Sequence, residues 1–135
     1  MNNNNILLVD DEPDITLGFS IGLEDAGFLV DAFNDPLLAL QSFKQFMKEK
    51  DSSYYALVLI DIKMPKMNGF ELYREIRKVN DKVRVCFVTA FDLQEEDEDD
   101  LKSVATSYVK PITIRKPIAI DDLVGIVKSE MMSDS

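Results

Sequence analysis

Histidine and tryptophan are absent from the 135 residues, and there is one cysteine, Cys86. Without histidine the chain cannot build a Ser-His-Asp or Cys-His triad, a His-ligated metal site or a phosphohistidine of its own. One cysteine cannot close an internal disulfide, which fits a reducing compartment. Long apolar runs are missing too. The longest, Tyr54 to Ile60, is far too short to cross a bilayer. Met1 is followed by asparagines rather than a basic segment, and Ile6 to Val9 is too short for a signal-peptide core. The expectation is a cytoplasmic protein with no membrane contact. Basic residues are outnumbered, 15 against 25 acids, for a net charge of −10. Direct nucleic-acid binding, which rests on a basic surface, is therefore not expected. Carboxylates, lysines and hydroxyls remain to carry any chemistry.

What is present describes a folded chain. The 46% hydrophobic and 30% charged fractions are those of a globular protein, and the length suits one domain over 1–135 with a core of about 5–131. Residues Met131 to Ser135 read as a frayed end. The acidity is local, because seven acids fall between Asp92 and Asp100 with no basic residue among them. Most of the excess lies in that run, which reads first as a solvated helix face and second as a docking surface for a basic partner.

Short apolar runs rich in Val, Ile and Leu predict strands at Ile6 to Val9, Phe28 to Phe33, Tyr55 to Ile60, Val83 to Val88 and Ile112 to Ile114. Helical patterns lie between them. The first opens at Asp11-Glu12-Pro13 and closes at Gly27. The second opens at Asn34-Asp35-Pro36, with Leu37, Leu40, Phe43 and Met47 at helical spacing. The others cover Phe70 to Val79, Leu93 to Thr106 and Ile120 to Met131. Five alternations of strand and helix predict an α/β fold: a doubly wound five-stranded parallel sheet, helices on both faces, flavodoxin-like order 2-1-3-4-5. Ligands of such sheets bind at the carboxyl ends of the strands.

At those ends stand Asp10 and Asp11 after the first strand and Asp61 after the third. Taken alone, Asp10 and Asp11 read as caps for the next helix. Asp61 is harder to read so, because Ile62-Lys63-Met64-Pro65 does not begin a helix. Three carboxylates about 4 Å apart repel by about 4 kcal/mol per pair at an effective dielectric of about 20. A cation is needed, and an oxygen-only donor set suits Mg²⁺, with Mn²⁺ as a substitute. Asp61 could then attack a phosphoryl donor and hold an acyl phosphate, helped by Thr89 and Lys116 at the ends of strands four and five.

Together these motifs resemble the receiver domain of two-component response regulators over essentially the whole chain. They are Ile6-Leu7-Leu8-Val9-Asp10-Asp11-Glu12-Pro13, Leu59-Ile60-Asp61-Ile62-Lys63-Met64-Pro65-Lys66-Met67-Asn68-Gly69, Val88-Thr89-Ala90, and Lys116-Pro117 running into Asp121-Asp122-Leu123. The resemblance implies that Asp61 is the phosphoacceptor, charged by a histidine kinase or phosphotransfer partner. It implies that Asp10, Asp11, Asp61 and the Lys63 backbone carbonyl hold the metal. Thr89 and Lys116 would contact the phosphoryl group, Ala90 would leave its path open, and the Lys116–Pro117 bond would be cis. Met64, Pro65 and Gly69 would shape the loop, Gly69 through backbone freedom. The family promotes its own phosphorylation and dephosphorylation and is otherwise not enzymatic.

Two departures stand out. Thr113 occupies the position where the family usually has an aromatic, with Tyr108 or Phe91 as substitutes. Lys110-Pro111 competes with Lys116-Pro117, but choosing it would leave the Ile112 to Ile114 run without a place. With no output domain after the last helix, the expected mode of action is through a downstream protein. Two other readings remain: a receiver-like scaffold with a degraded switch, and an aspartate-nucleophile phosphohydrolase. Lys63 stands where the hydrolases place a second acid.

Overall fold

In the computed structural model, which describes residues 4–49, 52–90, 95–104 and 111–132, strands and helices alternate strictly. The strands are β1 (Asn5–Val9), β2 (Leu29–Phe33), β3 (Leu57–Asp61), β4 (Arg84–Thr89) and β5 (Ile112–Arg115). The helices are α1 (Pro13–Asp25), α2 (Pro36–Met47), α3 (Gly69–Val79), α4 (Glu95–Val104) and α5 (Ile120–Met132). All strand pairs are parallel and the sheet order is β2-β1-β3-β4-β5, as the alternation predicts.

The period of two along a strand divides the core. On β1, Leu7 and Val9 face the side covered by α2 and α3, while Ile6 and Leu8 face α1 and α5. β3 continues this with Val58 and Ile60 on one side, Leu57 and Leu59 on the other, all fully buried. A strand covered on both faces has no solvent side, which is why its sequence is an unbroken apolar run. Edge strand β2 differs: Leu29 and Ala32 are exposed, and only one neighbour pairs with it. Beneath the site, Phe87 on β4 packs against Phe70 and Tyr73 of α3, with ring centroids 5.2 and 5.5 Å away. That packing fixes α3 against the strand beside Asp61.

Helix ends follow local chemistry. Asp35 caps α2 by accepting the Leu37 N–H at 2.9 Å, and Asn68 with Glu71 forms a reciprocal capping box on α3. Just past the end of α1, Gly27 has a φ of +100° that suits glycine, and the Phe28 N–H returns to the Leu23 carbonyl at 3.1 Å. Two details depart from the sequence pattern. Leu37 of α2 is exposed, and Pro36 and Ala39 join Leu40, Phe43 and Met47 on the buried face, because Pro36, Leu40, Phe43 and Met47 follow the spacing of one helical stripe and Leu37 lies beside it. In α4 the described part of the expected 93–106 helix is Glu95–Val104, and the remainder lies outside the described residues.

Candidate functional site

Strand register brings the expected acids together. Val9 pairs with Ile60, so Asp10 leaves the sheet level with Asp61 on the neighbouring strand. Carboxylate oxygens of Asp10, Asp11 and Asp61 all lie within 4.8 Å of one another. Asp10 and Asp61 are buried and Asp11 is half-buried. Lys116, at the end of β5, reaches across to this cluster. Its Nζ is 2.7 Å from Asp10 Oδ2, 3.6 Å from Asp61 Oδ1 and 3.7 Å from Glu12 Oε1. The Lys116 N–H donates to the Thr89 carbonyl at 2.7 Å, which ties the ends of β4 and β5 together. The Lys116–Pro117 peptide is cis. Lys110, the competing lysine, and Phe91 and Tyr108, the substitute aromatics, lie outside the described residues.

The electrostatics follow from that crowding. Burial, reinforced by the charges of Asp10 and Asp11, pushes Asp61 up to about 7. Burial also raises Asp10, against the opposing pull of its hydrogen bonds to Lys116 and the Glu12 N–H. For Lys116, burial works against the charge, but the Asp10 hydrogen bond and the Asp61 and Asp10 carboxylates outweigh it, so its pKa is raised. Among the described residues, one lysine against three acids leaves a negative surplus in a partly dry site. An all-oxygen donor set with unmet negative charge fits a small hard divalent cation such as Mg²⁺.

The remaining expected residues stand nearby with other partners. Thr89 is buried at the end of β4, and its Oγ1 donates to the Ala90 carbonyl at 3.0 Å. Ala90 itself is exposed. The Lys63 side chain turns to helix α4, where its Nζ is 2.6 Å from the buried carboxylate of Asp97. On the other flank of the same loop, Lys66 reaches Asp35 at 2.9 Å, and Lys66 adopts a φ of +71°. Gly69 is needed for a different reason from the one expected. A Cβ there would meet the Asp61 carbonyl oxygen at 2.5 Å and the Ile62 Cα at 2.8 Å, so close approach, not backbone freedom, requires glycine. Met64 joins the core while Pro65 is exposed. Thr113 is exposed on β5, opposite Phe87 in register.

Sequence reasoning passed over two residues here. Glu12 entered only as part of a motif, yet it faces Lys116. Asn34 reads in sequence only as the start of a helix, although its side-chain amide bonds the Asp10 carbonyl at 2.8 Å. Its signal was positional: it follows β2, the strand beside the one that ends at Asp10. Asp10 does not cap α1: the N-cap is Glu12, with no side-chain cap, and Asp10 Oδ1 accepts the Glu12 N–H at 2.9 Å while Oδ2 accepts from Lys116.

A family described as the response regulator receiver domain matches residues 6–128. Among curated proteins, the chain is 34% identical over 115 residues to the transcriptional regulatory protein QseB of Haemophilus influenzae, covering 84% of this chain and 49% of that protein. It is 44% identical over 85 residues to a CpxR homolog of the same organism, covering 63% of this chain and 34% of the relative. The chain thus spans about half the length, or less, of these relatives. Among solved structures, a receiver domain protein of Clostridium thermocellum superposes with a TM-score of 0.77 at 25% identity, covering 96% of this chain and 94% of that one. Vibrio cholerae chemotaxis protein CheY4 gives a TM-score of 0.75, covering 93% and 97%, and at 22% identity it shows the shared fold alone. With acids and lysine converging at the strand ends on this sheet, the chain belongs to the receiver domain family of two-component response regulators.

Proposed function

We propose that the chain, as one domain over 1–135, is a phosphoaspartate switch: Asp61 takes a phosphoryl group from a histidine kinase or phosphotransfer protein and the change is read by a downstream protein. The observation that carries this is the convergence of Asp10, Asp11, Asp61 and Lys116, with Asp61 buried at the centre of the charge. Asp10, Asp11, Asp61 and the Lys63 carbonyl are the groups that would hold Mg²⁺ or Mn²⁺. When bound, the ion would neutralise the carboxylates and the phosphoryl oxygens that approach them.

An Asp61 oxygen attacks phosphorus in line. The O–P bond forms as the P–N bond to the donor imidazole breaks, and the departing nitrogen takes up a proton from water so that the imidazole leaves neutral. Lys116 moves from a contact with carboxylates alone to one shared with a phosphoryl oxygen, since its ammonium already lies 3.6 Å from Asp61. Thr89, whose Oγ1 donates to the Ala90 carbonyl, would exchange that acceptor for a phosphoryl oxygen. These two contacts exist only in the phosphorylated state, so they bias the protein toward a second conformation. Water attack on phosphorus later returns Asp61 and frees phosphate.

Lys63 at the second position after Asp61 counts against a phosphohydrolase, because it engages Asp97 rather than supplying an acid. Intact mass after incubation with acetyl phosphate tests the reading. One phosphoryl adduct in Mg²⁺ and none in EDTA supports it. An adduct that forms equally in EDTA removes the metal from the account. Sustained turnover of a phosphate ester would replace the switch with an enzyme, and an adduct that leaves partner affinity unchanged would reduce it to a scaffold.

A further inference from the structure

Lys116 answers the carboxylates of the acidic turn Asp10-Asp11-Glu12 from one side, while the backbone of the turn is held by neutral groups. The Asp10 N–H donates to the Phe33 carbonyl at 3.1 Å. On the other side of the same residue, Asn34 Nδ2 donates to the Asp10 carbonyl at 2.8 Å. That nitrogen also bonds Thr16 Oγ1 at 2.9 Å, and Thr16 Oγ1 donates to the Pro13 carbonyl at 3.1 Å. The result is a closed brace: the end of β1 and the first turn of α1 are both tied to one amide on the β2–α2 corner. Asp11 lies between the two tied points.

Asn34 is exposed, so nothing about core packing requires an amide there. Its donors are nonetheless directed inward, onto a carbonyl and a buried hydroxyl. A donor without charge is suited to this place. It fixes the Asp10–Asp11 peptide without neutralising either carboxylate, whereas a lysine would compete for the acids as Lys116 does. We infer that Asn34 is a positioning residue for the metal-binding acids: its amide, acting through the Asp10 carbonyl and Thr16, holds Asp11 where it can share a divalent cation with Asp61. The inference rests on the proposed metal site and deepens it. Outer groups that orient metal ligands are commonly worth ten-fold or more in affinity.

The test is a titration of the protein with MgCl₂, followed by NMR amide shifts, on wild type, Asn34→Ala, Thr16→Val and the double variant. Spectra in EDTA report whether each variant keeps its fold. Asn34→Ala is expected to weaken Mg²⁺ roughly ten-fold, with the largest amide changes confined to Asp10 to Pro13's neighbours in the turn. Thr16→Val, which keeps the side chain's shape but removes the oxygen, is expected to lose less. The double variant should lose no more than Asn34→Ala alone, because the two residues form one brace. Wild-type affinity in a folded Asn34→Ala overturns the inference and leaves the metal site standing. Additive losses also overturn it, since Thr16 would then act independently of Asn34. No Mg²⁺ binding by wild type would remove the metal reading itself, and the inference with it.

Discussion

At the strand ends, two adjoining strands drive three carboxylates to within 4.8 Å of one another and, among the described residues, a single lysine answers them. Helix α4 carries more acids in a shorter stretch, yet it solves the same problem differently. Asp97 meets Lys63, Asp100 meets Arg74, and Glu98 and Asp99 are exposed to solvent. A helix spreads successive side chains around its axis, so neighbours in sequence point apart and each can find its own cation or water. Converging strand ends have no such freedom. The number of acids therefore says little about chemistry. Crowding and burial together raise the affinity of a carboxylate for a proton, a metal ion or a phosphoryl group.

That contrast can be broken from either side. The largest effect is expected from Asp61→Asn. Because the folded protein holds Asp61 up at about 7 against an ordinary value of 3.8, its protonation stabilises the fold below pH 4, and that stability is lost as pH rises through 7. In EDTA, chemical unfolding between pH 4 and 8 should show wild type losing stability by a few kcal/mol on this account, and Asp61→Asn losing markedly less. Some slope should survive in the variant, because Asp10 is raised as well. Lys116→Met comes next. It leaves buried Asp10 and Asp61 without their cation and should cost about 2–4 kcal/mol in EDTA at pH 8, with a smaller loss in Mg²⁺.

On α4 the expected changes are smaller. Asp97→Asn removes the partner of a half-exposed lysine and should cost about 1 kcal/mol or less, declining as salt is raised. Glu98→Gln and Asp99→Asn together should change stability by about 0.5 kcal/mol at most, measured by the same unfolding curves. A large loss from the last pair would erase the distinction between the two regions.

Much of this is legible in the sequence. The unbroken apolar run before Asp61 suits a strand covered on both faces, and a strand there places its last residue at the rim. The alternation of such runs with capped helices set the strand order, and hence the meeting of Asp10, Asp11, Asp61 and Lys116. Other features depend on tertiary geometry. Gly69 reads as a flexible turn residue, but its need comes from the Asp61 backbone 2.5 Å from where a Cβ would sit. Leu37 is exposed although its spacing from Leu40 also fits a helical face, so spacing alone does not pick out the buried stripe. Asn34 looks like the first residue of a helix cap, because its contacts with Asp10 and Thr16 are 24 and 18 residues away in sequence. Local signals report local structure, and long-range polar contacts leave none.

The claim at the centre is that, among 25 acids, Asp61 alone is the phosphoacceptor. The most direct measurement is to phosphorylate the protein with acetyl phosphate in Mg²⁺, trap the acyl phosphate with borohydride, and locate the reduced residue by peptide mass spectrometry. The account predicts reduction at Asp61 and nowhere on α4. Reduction at Asp10, Asp11 or the 92–100 acids, with Asp61 intact, would contradict it.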